Sequence, residues 1–145
     1  MMTQKGTHTR NIIKMTCLEN LVPQDHLVRK MDAALNLDFI YELVQDTYCN
    51  DNGRPSIDPV VIVKIALIKK MFGLPSIRRT LSEIQLNLAY RWYIGYDLEE
   101  PVPHFTTYIK NYNQRFGGKE LFAKLFECIL ETCLENKLIN RKSVV

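Results

Sequence analysis

The stretch DPVVIVKIALIKKMFGLP, residues 58–75, decides the fold. Asp58 followed by Pro59 is a typical helix start, because the carboxylate caps free amides and proline loses no hydrogen bond in the first turn. The residues that follow are apolar around most of a helical circumference, which indicates a central helix covered on several sides. Gly73 is expected to stop this helix after Phe72 in a left-handed conformation.

Apolar residues also recur at intervals of three and four on both sides of the central helix. They predict short helices near Leu27 and Phe39, and further helices over residues 77–85, 89–96, 106–115 and 119–136. No run of alternating residues indicates strands. The expected fold class is therefore all-α, a compact multi-helix domain around a buried central helix.

The totals favour one soluble domain. A chain of 145 residues that is 46% hydrophobic and 24% charged has enough apolar material for a single core. The net charge of +3 is compatible with a polyanionic partner and too small to imply one. No apolar run approaches the roughly 20 residues that span a bilayer, and no signal-peptide pattern is present, so we expect a cytoplasmic protein without membrane contact.

Residues 1–20 show no sustained helical period and carry Lys5, Arg10 and Lys14 among polar neighbours. Because chain termini usually fray, they are predicted to form a mobile or extended arm. Two interpretations stay open, an unstructured leader and an arm that lies along phosphates.

Catalytic and metal-binding patterns are not found. His8, His26 and His104 lie far apart, and the four cysteines are too scattered for a zinc site or a redox pair, which predicts reduced thiols. Glu99 and Glu100 are adjacent in a loop and are expected to point apart. No glycine-rich phosphate loop or nucleophile elbow occurs, so the chain is not expected to be an enzyme by itself or to hold a cofactor.

Nucleic-acid recognition has more support. The helix predicted over residues 106–115 carries two cations and no carboxylate, with side chains able to bond base edges and phosphates, and Thr106 is expected to cap it. Arginines on neighbouring helices would fix the register through phosphates. An ordinary solvated helix face is the open alternative. The candidate DNA-contacting residues are Arg78, Arg79, Arg91, His104, Thr106, Thr107, Lys110, Asn111, Asn113, Gln114 and Arg115.

Two other groups of side chains call for interpretation. Tyr90, Trp92, Tyr93 and Tyr96 lie beside leucines and are expected to pack in the core, against the central helix, rather than to stack on bases. The final helix, residues 119–136, has a broad apolar stripe that favours a homodimer or packing on a further domain. Glutamates recur every four residues on its opposite side, which argues for exposure or a basic partner.

Three phrases are specific enough to indicate a family. They are LVPQDHLVRKMD from Leu21, DNGRPSIDPVVIVKIALIKKMFGL from Asp51, and EIQLNLAYRWYIGYDLEEPVPHFTTY from Glu83. In this order and spacing the chain resembles the N-terminal domain of bacterial insertion-sequence transposases of the InsH type, a DDE-class group, over residues 21–140. The chain departs from that group in the residues around His104 and in having fewer arginines on the helix that follows.

The resemblance implies an all-helical, helix-turn-helix-like module that binds double-stranded DNA at the terminal inverted repeats of the element. It also implies a ribonuclease-H-like catalytic domain that would follow this chain, with residues 141–145 as the start of the linker. The divalent metal and the catalytic carboxylates would belong to that domain. We therefore expect no catalytic role for the carboxylates present here, Asp46, Asp51, Asp58, Glu99 and Glu100.

Overall fold

The computed structural model describes residues 1–48, 56–117 and 119–138. Within these ranges the chain forms eight α-helices and two 3-10 turns, His8–Asn11 and Gln45–Thr47, and no strand. The predicted all-α fold class is confirmed. The helices are α1 (Leu18–Leu21), α2 (Leu27–Ala34), α3 (Phe39–Val44), α4 (Pro59–Met71), α5 (Ile77–Leu86), α6 (Leu88–Ile94), α7 (Phe105–Phe116) and α8 (Lys119–Glu135).

The central helix α4 forms for the reasons read from its sequence. Asp58 Oδ1 accepts a hydrogen bond from Val60 N at 2.8 Å, and Pro59 occupies the first turn. Gly73, just beyond the helix, has a φ of 65°, a left-handed conformation that side chains disfavour. Helices α3, α5, α6 and α7 all pack against α4. Eight of its residues are buried, namely Pro59, Val60, Val61, Ile62, Val63, Ile65, Leu67 and Ile68.

Helices α5 and α6 are separated by one residue, Asn87. Ser76 Oγ caps the start of α5 by accepting from Arg79 N at 3.1 Å. Asn87 ends α5 and caps α6, because its Oδ1 accepts from Tyr90 N at 3.0 Å. Gly95, with a φ of 81°, ends α6 in the left-handed conformation. The two short helices pack against each other and against α4.

The connections between helices bear on the expected helix-turn-helix. Helices α4 and α5 pack together and are joined by residues 72–76. Helix α7 is preceded by a longer connection, residues 95–104. A helix-turn-helix joins its two helices by a turn of about three or four residues. Helix α7 is therefore not the second helix of such a tight pair.

Helix α7 is fastened to the start of α4 by its inner face. Tyr108 is buried, and its hydroxyl donates to the Ile62 carbonyl at 2.9 Å. Burial raises the pKa of Tyr108, which keeps this hydroxyl protonated as a donor. Asn111 Oδ1 accepts from Ile57 N at 3.2 Å, one residue before the α4 cap. These two bonds fix which face of α7 points outward.

Helix α8 covers α7 and α2 with its apolar stripe. Phe122 lies 4.9 Å from Tyr112 and 5.3 Å from Phe116, measured between ring centroids. Further along, Ile129 and Cys133 enter the core. The stripe that favoured a homodimer is therefore occupied within the chain. The outer face of α8 carries the exposed glutamates Glu127, Glu131 and Glu135.

The folded body begins at Leu18, inside the segment predicted as a mobile arm. Glu19 accepts hydrogen bonds from the Arg29 guanidinium and from Trp92 Nε1, the latter at 2.6 Å. The Arg29 guanidinium lies over the Trp92 ring at 4.6 Å. Trp92 therefore contacts α1 and α2 as well as the core, and its neighbours Tyr90 and Tyr93 are buried where α6 packs on α4. Within residues 1–16 every side chain is exposed except Thr9, which is half-buried.

Some predictions fall outside the described residues, among them those on one of the four cysteines, Cys49, on Asp51 and on the linker at 141–145. Of the described cysteines, Cys17 and Cys128 are exposed and Cys133 is buried, where burial raises its thiol pKa. In the described part of the chain, no helix has the length and apolar character needed to cross a membrane.

Candidate nucleic-acid interface

The outer face of α7 presents one polar strip. The strip consists of five residues, Thr106, Thr107, Lys110, Asn113 and Gln114. At 100° per residue their side chains fall within an arc of about 120° on the helical wheel, and they extend over about 12 Å along the helix axis. All five are exposed, whereas the opposite face holds Tyr108, Tyr112 and Phe116 against the protein. No residue of α7 is a carboxylate. We call this surface the α7 strip.

His104 caps the start of α7. Its Nδ1 accepts from Thr106 N at 3.2 Å and lies 2.8 Å from Thr106 Oγ1. The expectation that the Thr106 hydroxyl would cap the helix is corrected, because the cap position lies two residues earlier. A ring nitrogen that accepts carries no proton, so in this cap bond Nδ1 is the acceptor and Nε2 is left as the possible donor of the ring.

Arg78 and Arg79, in the first turn of α5, lie beside the start of α7. The Arg78 guanidinium carbon is 4.9 Å from the centroid of the Phe105 ring, and the residue is exposed. Arg79 is also exposed, and its Nη2 lies 2.9 Å from Glu83 Oε1. Arg78 thus places a cation beside the first residue of α7. Arg79 is partly neutralised by its partner.

Arg91 was predicted as a surface cation, and the structure buries it, leaving 6% of the residue exposed. Its Nε donates to the Gln85 carbonyl at 3.2 Å, and its Nη1 donates at 2.8 Å to the carbonyls of Asp97 and of Glu100. The guanidinium therefore ties the end of α5 to the loop after α6. A buried cation needs such acceptors, because an unsatisfied charge is expensive to remove from water.

Asn111 was also predicted on the outer face and is instead 8% exposed. Besides accepting from Ile57 N, it donates from Nδ2 to the Thr107 carbonyl at 2.9 Å. Its side chain is thus committed to holding the segment before α4. The neighbouring Asn113, two positions on, is exposed on the α7 strip.

Arg115 points away from the α7 strip. Its guanidinium carbon lies 3.5 Å from the centroid of the Tyr48 ring, and Nη1 donates to the Thr47 carbonyl. On the α7 helical wheel Arg115 lies more than 90° from the centre of the strip. The structure therefore does not bring Arg115 together with Lys110, Asn113 and Gln114.

The acidic loop before α7 is held by hydrogen bonds between its backbone amides and the Asp97 side chain. Asp97 Oδ1 accepts from the amides of Glu99 and Glu100, at 2.8 Å and 2.6 Å. All three carboxylate residues are exposed. Within the described ranges no three His, Cys, Asp or Glu side chains are grouped so that they could hold a metal ion.

Two residues that contact the candidate arginines were not identified from the sequence, Glu83 and Phe105. Glu83 follows Arg79 by four residues, and this spacing is the signal for a helical ion pair. Phe105, which supports Arg78, gives no comparable signal, because its partner is 27 residues earlier in the chain and is brought near only by the packing of α5 on α7.

Comparison with known proteins gives one family match. The model of the family described as Transposase domain (DUF772) matches residues 16–114, about two thirds of the chain. The matched segment covers α1 to α6 and nearly all of α7, and it leaves out residues 1–15 and α8. No curated protein and no solved structure matches the chain.

Proposed function

We propose that this chain, which belongs to the transposase-domain family DUF772, is a DNA-binding module that recognises the ends of a transposable element. The α7 strip is the recognition surface, and Arg78 and His104 contact phosphates beside it. The proposal includes the finer assignment to the N-terminal type, with α7 as a recognition helix that follows a longer connection than a tight helix-turn-helix has. The chain alone is proposed to bind without catalysing.

The α7 strip is the observation that carries this proposal. It is a continuous polar surface on a helix whose other face is buried, and it has a cation and two amides but no carboxylate. Asparagine and glutamine can pair bidentately with adenine, and lysine with guanine, in the major groove. Carboxylates on this face would oppose the approach of phosphates, and α7 has none.

The residues around the strip favour separate roles for phosphate contacts and for base contacts. Arg78 is stacked on Phe105, which limits the freedom of its guanidinium while leaving it exposed. A cation held in this way beside the start of α7 suits a phosphate contact that sets the register of the helix on the duplex. Sequence reading then falls to Lys110, Asn113 and Gln114.

The experiment compares two duplexes, one with the terminal repeat of the element that encodes the chain and one with the same bases shuffled. We expect tighter binding to the terminal repeat. Lys110→Ala with Gln114→Ala should lower that preference by about tenfold or more, since each good base contact contributes about 1–3 kcal/mol of discrimination.

The matched control is Lys30→Ala with Gln24→Ala, which removes the same side-chain types from exposed positions on and before α2. This control should leave the preference unchanged. Equal binding of the two duplexes by the unmodified chain, or an equal effect of both double variants, would refute recognition by the α7 strip.

A second candidate function is an interaction module that uses α8. The supporting observation is the row Glu127, Glu131 and Glu135, whose like charges are exposed at intervals of four residues. Because the apolar stripe of α8 packs on α2 and α7, a homodimer or a contact with a catalytic domain would use this acidic face. A concentration-independent monomer in light scattering of the isolated chain would count against the homodimer.

A further inference from the structure

Residues 1–16, which we call the basic arm, carry the whole net positive charge of the chain. They contain Lys5, Arg10 and Lys14 and no carboxylate. The 145 residues include 19 Lys and Arg and 16 Asp and Glu, so the chain after the arm has 16 of each. Attraction for a polyanion at long range follows net charge, and here that attraction resides in the basic arm.

The three cations of the basic arm are available to a partner. Lys5, Arg10 and Lys14 are all exposed, and within the described residues none of them forms an ion pair. A paired cation such as Arg79 has already lost part of its attraction for phosphate. An unpaired cation releases the counterions of DNA phosphates when it binds, which is the main source of sequence-independent affinity.

The basic arm starts from a fixed point and has a long reach. Glu19, just after the arm, is held by Arg29 and Trp92, so the arm leaves the folded body beside α6. Sixteen extended residues span about 50 Å, whereas a domain of this size has a radius of gyration of about 15 Å. The arm can therefore reach DNA on any side of the body. It also lies almost entirely outside the matched family segment, which begins at residue 16.

We propose that the basic arm binds the sugar-phosphate backbone of the same double-stranded DNA that the α7 strip contacts, next to the base pairs that the strip reads. The arm itself does not read sequence. The inference rests on the proposed function, because both surfaces bind the same DNA, but its site is separate. Residues 17–145 together have no net formal charge, and the α7 strip within them reads the bases. The arm provides the electrostatic part of the affinity and accelerates the encounter.

The test measures how the affinity of the full chain depends on salt, using a mixed-sequence duplex of about 30 base pairs, long enough for both surfaces. In Lys5→Ala with Arg10→Ala and Lys14→Ala, the slope of log affinity against log salt should fall by about 2.7, or 0.9 for each lost phosphate contact. The loss of affinity should then be about 40-fold larger at 50 mM than at 200 mM salt. Equal slopes for the variant and the unmodified chain would overturn the proposal.

Two control variants separate charge from shape. Gln4→Ala with Thr7→Ala and Asn11→Ala keeps the charge of the arm and should leave the slope unchanged. Lys5→Arg with Arg10→Lys and Lys14→Arg should behave as the unmodified chain. A fall in slope in either control would show that the arm acts through its shape or packing, and that result would contradict the phosphate contacts.

The outcomes distinguish this inference from the proposed function, whose readout is preference for the terminal repeat. Suppose that the triple alanine variant of the arm lowers the salt dependence of affinity, while the double alanine variant of the α7 strip still prefers the terminal repeat. The proposal for the arm is then supported, and recognition by α7 is refuted. If the preference is lost and the salt slope is unchanged in the arm variant, the arm proposal alone fails. Binding of the arm to anionic lipid vesicles, with no binding of the chain to DNA, would overturn both.

Discussion

The guanidinium of Arg78 lies over the ring of Phe105, with 4.9 Å between the guanidinium carbon and the ring centroid. Through this contact the first turn of α5 rests on the first turn of α7. The arrangement joins a candidate phosphate contact to the helix proposed to read bases. Its energy can be measured without DNA.

The Arg78–Phe105 pair should show a coupling free energy of about 0.5–1 kcal/mol, the size of an exposed cation–π contact. Arg78→Ala, Phe105→Leu and the double variant form the cycle, and urea unfolding gives the three free-energy changes. Arg79→Ala in place of Arg78→Ala is the control and should show no coupling to Phe105. A coupling energy near zero for Arg78 would mean that the two side chains do not support each other.

Arg91→Lys should lower the free energy of unfolding by about 3 kcal/mol. Lysine keeps the charge but cannot donate in three fixed directions to the carbonyls of Gln85, Asp97 and Glu100. Arg79→Lys, at an exposed position, should change it by less than about 0.5 kcal/mol. An Arg91→Lys protein of unchanged stability with weakened DNA binding would instead favour the phosphate role first predicted for Arg91.

Asn111→Ala and Asn113→Ala should differ in stability although they make the same change two positions apart in α7. Removing Asn111 leaves Ile57 N without its acceptor, at a cost of about 1–3 kcal/mol. Helix propensity contributes similarly to both variants and cancels in the comparison. Asn113→Ala should keep its stability and weaken discrimination between the two duplexes. Equal unfolding midpoints in urea would contradict the buried role of Asn111.

Alkaline pH should destabilise the fold partly through Tyr41. Its hydroxyl donates to Asp58 Oδ2 at 2.7 Å, and this bond, with some burial, raises the pKa of Tyr41 to about 12 from its ordinary value of 10. The folded state then holds the proton more tightly, so the contribution of Tyr41 is complete below pH 10 and is lost as the pH rises towards 12.

The measurement for Tyr41 is the free energy of unfolding between pH 10 and pH 12, the interval between its two pKa values. Tyr41→Phe should show a shallower decline than the unmodified chain. Burial also raises the pKa of Tyr93 and of Tyr108, so some decline should remain. Leu43→Ala, at another exposed position of α3, should leave the decline unchanged. An unchanged decline in Tyr41→Phe would exclude this linkage.

Much of the fold was predictable because its signals are local. Asp58 and Pro59 mark the start of α4 and Gly73 marks its end, each within two residues of the helix terminus, and the apolar run between them leaves no exposed face. The exposed side of α7 was predicted in part for the same reason, although Asn111 and Arg115 do not lie on it. Thr106, Lys110 and Gln114 follow the helical period, and the structure exposes them.

Three residues that were predicted as exposed DNA contacts, Asn111, Arg115 and Arg91, instead bind partners within the protein. These partners are distant in sequence or are brought near by the folding of a loop. Asn111 meets an amide 54 positions earlier, and Arg115 meets a carbonyl 68 positions earlier. Periodicity places both on or near the polar side of α7, and only the contacts of α7 with α4 and with Thr47 and Tyr48 turn them inward. Arg91 acquires its three acceptors when residues 97–100 fold back on the end of α5, a conformation that no local pattern specifies.

The contact of Glu19 with Arg29 and Trp92 also gives the protein an optical probe. Trp92 is the sole tryptophan of the chain, and its indole nitrogen donates to a carboxylate from α1 while a guanidinium from α2 covers its ring. Indole emission depends on polarity and on nearby charge, so it reports whether these three segments are assembled. Release of α1, the base of the basic arm, would therefore change the colour and yield of the only tryptophan emission in the molecule.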